Sequence, residues 1–503
     1  MPIPVVDIFA GPGGLGEGFS AFTPEGRREP AFKIAVSAEM EVNAARTLRL
    51  RAFFRQFPNG QAPESYYEYV RGHRATPWTE ETRGEWEAAC REALQLTVGT
   101  PEHDAILHER VARISSGDRP WILVGGPPCQ AYSLVGRARN RGIVGYRPEE
   151  DERHFLYRHY LELIKNYHPT AFVMENVKGI LSSKVGGSLV FPQILRDLAE
   201  PGGPSGPKYR IIPFAAPADA VGDDTAQFIL RAEELGVPQA RHRVILLGLS
   251  ESVCSTDLPY LIPTPATTHV KHVLEHLPPL RSGVTTKVIR DWSKDATRIL
   301  RTTANHARRS WENVANELDE AVSRVDDQDP GTGGRWMPWN GNLASLPTHL
   351  ANWLHDPRLG GLLNHEVRSH MEDDLKRYAY SAAFTKVRGV SPRGAKEFPA
   401  ILHPNHWNWD SGKFIDRFKA QAWDRPSSTV TSHLSKDGHY FIHPEPAQLR
   451  SLSVREAARL QTFPDNYFFE GARGAQFRQV GNAVPPWMAH QLARVVYTAL
   501  AST

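Results

Sequence analysis

The strongest constraint on the fold lies in the first forty residues. The apolar run Val5-Val6-Asp7-Ile8-Phe9-Ala10 breaks into Gly11-Pro12-Gly13-Gly14-Leu15-Gly16 and is followed by a second short apolar run over Ile34 to Ala38. A strand, a glycine loop, a helix and another strand make the opening unit of an α/β sheet. The glycines let the backbone turn tightly and approach a ligand, and Glu39 follows at the end of the second strand. That combination suits an adenosine-containing cofactor of either the dinucleotide or another type.

The same pattern resumes downstream. Trp121-Ile122-Leu123-Val124, Ala171-Phe172-Val173-Met174 and Arg243-Val244-Ile245-Leu246-Leu247 are continuous apolar runs of the kind buried on both faces of a sheet. Phe155, Leu156, Tyr160, Leu163 and Ile164 recur at helical spacing between two of them. The expected fold class is therefore α/β, a Rossmann-like, mostly parallel, doubly wound sheet. Residues 51–118 read as a helical insertion, with Trp86, Cys90, Ala93, Leu94 and Thr97 on one helical face. Residues 250–422 lose the periodicity and become an irregular stretch rich in Pro, Gly, His and Trp, which we read as a smaller inserted domain. Residues 423–503 then complete the first domain of residues 1–249, and the stripe Met488, Leu492, Val495, Ala499 and Leu500 should pack one last helix onto it.

Three loops at strand ends carry chemistry. Cys129, in Gly125-Gly126-Pro127-Pro128-Cys129-Gln130, is one of three cysteines without a CxxC pair, so a disulfide framework or a thiolate zinc site is excluded. Two prolines fix the backbone before it at the crevice end of a strand, where a thiol can react; otherwise it is a buried structural thiol. Glu175 ends another strand, in an expected apolar pocket where a carboxyl can hold a proton, unless it only caps a helix. Gln239-Ala240-Arg241-His242-Arg243 sends two guanidiniums to one face, able to hold a phosphate, a base carbonyl or a carboxylate.

In this order the motifs resemble the cytosine-C5 DNA methyltransferase family over roughly residues 4–50, 119–248 and 423–499. The resemblance implies a target-recognition domain at 250–422, rejoined through Arg425-Pro426-Ser427-Ser428-Thr429, and a closing cofactor motif at Gly481-Asn482-Ala483-Val484-Pro485. It implies S-adenosylmethionine as cofactor, without a metal. Phe9 would stack on adenine, Gly11, Gly13, Gly14 and Leu15 would contact the methionine part, and Glu39 the ribose, with Met40, Pro127, Leu156, Asn482 and Val484 completing the pocket. Cys129 would add to C6 of a flipped cytosine, making C5 nucleophilic, while Glu175 serves N3, Arg243 meets the base and Arg241 organises the site. Gln130, Ser133, Arg137, Arg139 and Gln239 would face DNA, and residues 131–150 would close over it. An adenine-edge aspartate expected before the nucleophile strand has Asp118 as its nearest candidate.

Double-stranded DNA is the implied substrate, with transfer RNA an alternative, and a restriction nuclease or phage-defence proteins are implied partners. A net charge of +3 permits such a polyanion without demanding it. Lys287, Arg290, Lys294, Arg298, Arg301, Arg308 and Arg309 are candidate phosphate contacts, and Arg335 and Trp336 lie in a glycine-rich stretch read as a loop able to enter a groove. His403-Pro404-Asn405-His406 reads as packing or a DNA contact in preference to a metal site. With no apolar run long enough for a membrane span and no signal-peptide pattern, a cytoplasmic, nucleoid-associated location is expected. An NAD-dependent oxidoreductase leaves Cys129 and Glu175 without a role, and a binding-only relative leaves the reacting groups without one.

Overall fold

The computed structural model describes residues 1–117, 119–128, 156–185, 187–217, 225–253, 258–264, 266–285, 289–405, 409 and 416–501. Cys129, Gln130, Ser133, Arg137, Arg139, Asp118, Lys287, His406 and the segment 131–150 lie outside the described residues.

One eight-stranded sheet organises the chain. β1 (Ile3–Ile8) sits near its middle, with β2 (Phe32–Glu39) and β3 (Ala93–Gln95) on one side and β4 (Ile122–Gly125) and β5 (Ala171–Val177) on the other, all parallel. Beyond β5 the direction changes. β6 (Tyr209–Pro213) and β7 (Ile229–Arg231) both run antiparallel to β8 (His242–Ser250), which is itself antiparallel to β5. The chain winds one way from β1 to β2 and the other way from β4 to β5, so a topological switch point falls between β1 and β4.

Side-chain alternation along these strands feeds two cores. Val5, Ile122, Val124, Ala171 and Val173 point to one face, Val6, Ile8, Leu123, Phe172 and Met174 to the other. The first face is covered by α1 (Gly14–Ala21) and by α12 (Pro486–Ala501), whose Met488, Leu492, Val495 and Ala499 are buried as their spacing predicts. The second is covered by α5 (Pro101–Ser115) and α6 (Leu156–Tyr167) through Leu107, Val111, Tyr160, Leu163 and Ile164.

The region 51–118 departs from its reading as wholly helical. α2 (Val42–Arg55), α3 (Glu64–Arg71) and α4 (Arg83–Glu92) are helices, but the chain leaves α4 at Ala93 and pairs as β3 with Ser37, Ala38 and Glu39. Ladder hydrogen bonds on a free sheet edge outweigh the helical preference of Ala-Leu-Gln. Cys90 is half-buried, and Ala89 takes the fully buried place on that helix.

Residues 250–422 are more regular than their composition suggests. α7 (Trp292–Ala307), α8 (Glu312–Val322) and α9 (Glu372–Arg388) share a core of Ile299, Leu300, Leu318, Tyr378 and Phe384, which also draws in Ile442, Ala447 and Leu449. Gly333–Pro338 is a strand, β9, paired antiparallel with β10 (Gly361–Glu366), where a free glycine-rich loop was expected. Arg335 on β9 donates from Nε to the Val70 carbonyl (3.1 Å) and from Nη2 to that of Tyr69 (2.7 Å), and lies over the Phe468 ring. Trp336 Nε1 donates to the Leu359 carbonyl at 3.3 Å. Arg335 thus fastens this region to α3, and Trp336 is tied to the turn before β10. Along α7 and the turn after it, Lys294 pairs with Asp291, Arg298 with Glu372 and Arg308 with Asp319, so three of the candidate phosphate-binding cations already have carboxylate partners.

Candidate active site

The crevice at the switch point is bounded by the loops that leave β1 and β4. Directly after β1, Phe9 (φ 55°), Gly11 (φ 58°) and Gly13 (φ 94°) hold left-handed conformations; the glycines take them freely, whereas Phe9 does so at a cost that its surroundings offset. Glu39, the last residue of β2, does part of this: its Oε2 accepts from Gly11 N and its Oε1 from Glu41 N, both at 2.8 Å. Burial pushes the Glu39 carboxyl up, partly offset by these amides. Gly13 leads into α1 without any side-chain cap, which leaves first-turn amides at the mouth of the crevice.

The far wall comes from the end of the chain. A Cβ on Gly14 would stand 2.1 Å from the Val484 carbonyl oxygen, so the segment carrying Asn482 and Val484 passes directly over the glycine turn. Asn482 is exposed, Val484 is buried and Met40 is open beside Glu39. Leu156 begins α6 against the loop following β3, 3.5 Å from where a Gly99 Cβ would lie. Leu15 turns into the core beneath α1, which leaves it only its backbone to offer a ligand. These residues suit an adenosine cofactor: carboxylate oxygens for a diol, amides for a charged tail, and open space over Gly11, where an added Cβ meets nothing within 4 Å. Gln95 ends β3 in register with Glu39, so it stands beside that carboxylate at the edge of this crevice; it escapes notice in the sequence because β3 does.

On the β4 side the backbone runs through Gly126, Pro127 and Pro128 toward Cys129. A Cβ on Gly126 would come within 2.8 Å of Glu175 Oε2, so this loop begins in contact with the carboxylate. Asn176 Nδ2 donates to the Pro127 carbonyl at 3.3 Å and ties the loop to β5. Glu175 is not isolated in an apolar pocket, because Arg243 Nε reaches its Oε1 at 2.7 Å across the β5/β8 pair. The side chains of both are largely buried.

Arg241 and Gln239 act at longer range. Arg241 is buried, donating to the carbonyls of Val430 (2.7 Å) and Gly481 (3.1 Å). Burial holds its guanidinium well below the usual arginine range, with Arg243 pushing the same way and Glu175 opposing. Gln239, expected to face DNA, is fully buried instead. Its amide donates to the Leu460 carbonyl at 3.1 Å and accepts from Val430 N at 2.8 Å, so its polar atoms are engaged inside the protein. Both side chains lock the returning C-terminal segment onto β8.

The sequence matches the C-5 cytosine-specific DNA methylase family over residues 85–498. It is 33% identical over 510 residues to the type II methyltransferase M.Bpa9945I of Bacillus paralicheniformis, covering 98% of each chain.

The chain belongs to the C-5 cytosine-specific DNA methylase family.

It is a DNA (cytosine-5-)-methyltransferase, and the family's methyl donor is S-adenosylmethionine. This methylase is also 26% identical to the type II methyltransferase M.AgeI of Thalassovita gelatinovora, over 98% of this chain and 99% of that one. Among solved structures, a DNA modification methyltransferase encoded within an E. coli prophage covers 99% of both chains with a TM-score of 0.53 at 19% identity, a likeness of fold. No helix among the methylase's described residues is long and apolar enough to cross a membrane, and no group of three or more potential metal ligands occurs among them.

Proposed function

We propose that this methylase acts on double-stranded DNA by extruding the target cytosine into the crevice between Glu175, Arg243 and the loop that leads to Cys129. The observation that carries the reading is the contact of Gly126 with Glu175 Oε2 while Arg243 holds Oε1. It sets an acid, a guanidinium and the approach to a thiol around one space, next to the glycine turn.

In that space the Cys129 thiolate adds to C6, Glu175 shares a proton with N3 as electron density reaches the ring, and Arg243 holds Glu175 in place and faces the base. S-adenosylmethionine, when bound, would supply the electrophilic methyl group to C5, its S–CH3 bond breaking to leave S-adenosylhomocysteine. Transfer of the C5 proton to solvent water then lets the C6–S bond break and returns the thiolate. Phe9, Gly11, Gly13, Gly14, Leu15, Glu39, Met40, Pro127, Leu156, Asn482 and Val484 form the cofactor pocket. We assign catalysis to residues 1–249 and 423–503 and target recognition to residues 250–422. Because M.Bpa9945I and M.AgeI are type II methyltransferases, we infer a cognate restriction nuclease that reads the same sequence.

Cys129→Ser should abolish methylation and leave S-adenosylmethionine binding nearly intact, since a hydroxyl ionises far less readily than a thiol. A duplex carrying 5-fluorocytosine at the target, which lacks the C5 proton, should trap the wild type as a covalent adduct and the variant not at all. Bisulfite sequencing of DNA from an expressing host identifies the target first. An adduct mapped by mass spectrometry to Cys90 or Cys254 would overturn the assignment.

A further inference from the structure

The glycine turn is held from a side that none of its expected cofactor residues occupies. Tyr467, 455 residues downstream, is fully buried, and its hydroxyl donates to the carbonyl of Pro12. A Cβ on Gly13 would lie 3.0 Å from the same oxygen, so the hydroxyl rests against the left-handed residue itself. The Arg51 guanidinium lies over the Tyr467 ring at 4.9 Å, donates from Nε to Glu17 Oε2 (2.8 Å) in the first turn of α1, and from Nη1 to Asn466 Oδ1 (2.9 Å). Asn466 in turn donates to Asp356 Oδ2 at 2.8 Å. Three anchors therefore fix residues 11–17: Glu39 on the Gly11 amide, Tyr467 on the Pro12 carbonyl and Arg51 on Glu17.

We propose that Tyr467 is a positioning residue for the cofactor: by fixing the Pro12 carbonyl it keeps Gly13 in its left-handed conformation and the following amides aimed at the crevice. This rests on the reading of the turn as the S-adenosylmethionine site. Without the hydroxyl, a buried carbonyl loses its donor and Gly13, which as a glycine takes either sign of φ at little cost, is free to leave its left-handed conformation, so the site must be re-ordered at each binding event. Bound cofactor restores the turn, and the chemical step is untouched.

The test is Tyr467→Phe in the full chain, which removes one oxygen. Calorimetry with S-adenosylmethionine should show Kd raised about ten-fold, equivalent to about 1.4 kcal/mol. On unmethylated host DNA, KM for the cofactor should rise in parallel with kcat within about two-fold of wild type. Hydrogen exchange should quicken at residues 11–15 and stay unchanged in β1 and β2. Arg51→Lys, which keeps the hydroxyl, should weaken binding less than Tyr467→Phe does. A folded Tyr467→Phe protein with unchanged Kd, a fall in kcat at unchanged KM, or a larger effect from Arg51→Lys would overturn the proposal. Failure of Tyr467→Phe to fold would do so too, by showing that the hydroxyl holds the fold and not the turn. If the wild type itself bound no S-adenosylmethionine, the reading of the turn as a cofactor site would fall first.

Discussion

Replacing Gly14 by alanine isolates the contact between the two ends of the chain. The new Cβ would sit 2.1 Å from the Val484 carbonyl oxygen, where a carbon and an oxygen need about 3.3 Å, so one side must recede by about 1.2 Å. Gly14 begins α1, and alanine there gains up to about 1 kcal/mol of helical preference, against about 1 to 3 kcal/mol for overpacking. The net loss of stability is thus at most about 3 kcal/mol, a few degrees in Tm. The α1 side cannot give way, because Glu17 is bonded to Arg51 and α1 packs closely on α12. The segment carrying Asn482 and Val484 must move, which opens the proposed cofactor pocket. We expect S-adenosylmethionine affinity to fall at least about ten-fold, or about 1.4 kcal/mol, measured by calorimetry beside a thermal melt. Wild-type affinity at unchanged Tm would refute the reasoning.

Two further outcomes concern the buried polar seam between residues 361–370 and 443–456. His365, His370 and His443 are buried and pushed down to about 4, 3 and 3, chiefly by loss of solvent. Their folded values lie below the unfolded value near 6.5, so the unfolded chain binds more protons in acid: their contribution is complete above pH 6.5 and is lost as pH falls toward 3. With about 1.4 kcal/mol per pH unit for each, stability near pH 5 should fall by about 4 kcal/mol per unit. Urea midpoints that do not move between pH 7 and pH 5 would contradict this. Glu456→Gln should cost about 3 to 5 kcal/mol in urea unfolding, because Arg450, fully buried and held by both Glu456 oxygens at 2.7 Å, would keep a charge without its counter-ion. A loss below about 1 kcal/mol would argue against that picture.

The strands most visible in the sequence are those covered on both faces. β1, β2, β4, β5 and β8 lie within three residues of their apolar runs, because burial on two sides leaves no polar alternation to blur them. β3 is hidden because three residues carry little pattern, and its state is set by the Ser37–Glu39 edge it pairs with. α7 is obscured by surrounding Pro, Gly and Trp, although Ala296, Ile299, Leu300, Thr303, Ala304 and Ala307 do form its buried stripe. At the site, Glu175 and Arg243 are legible as motif members, whereas their direct bond is a product of the antiparallel β5/β8 register. Gln239 shows the limit of motif reading, since a residue can belong to the pattern and still be wholly enclosed. Arg335 shows another: its partners are backbone carbonyls 265 and 266 residues away, which no charge pattern announces.

The passage of the chain's last segment over its first turn sets an order on biosynthesis. Pro12, Gly14 and Glu17 leave the ribosome more than 400 residues before Tyr467, Val484 and α12. At about 5 to 20 residues per second, the glycine turn waits roughly 25 to 95 s for them. Until then β1 and α1 expose the surface that α12 will cover, a standing invitation to aggregation or to chaperones. Release by premature termination between residues 150 and 466 yields a polypeptide whose Cys129 loop is already made but whose glycine turn lacks its roof and its Pro12 anchor. If the turn binds the donor as proposed, such a fragment carries the thiol without the means to hold a methyl group for it.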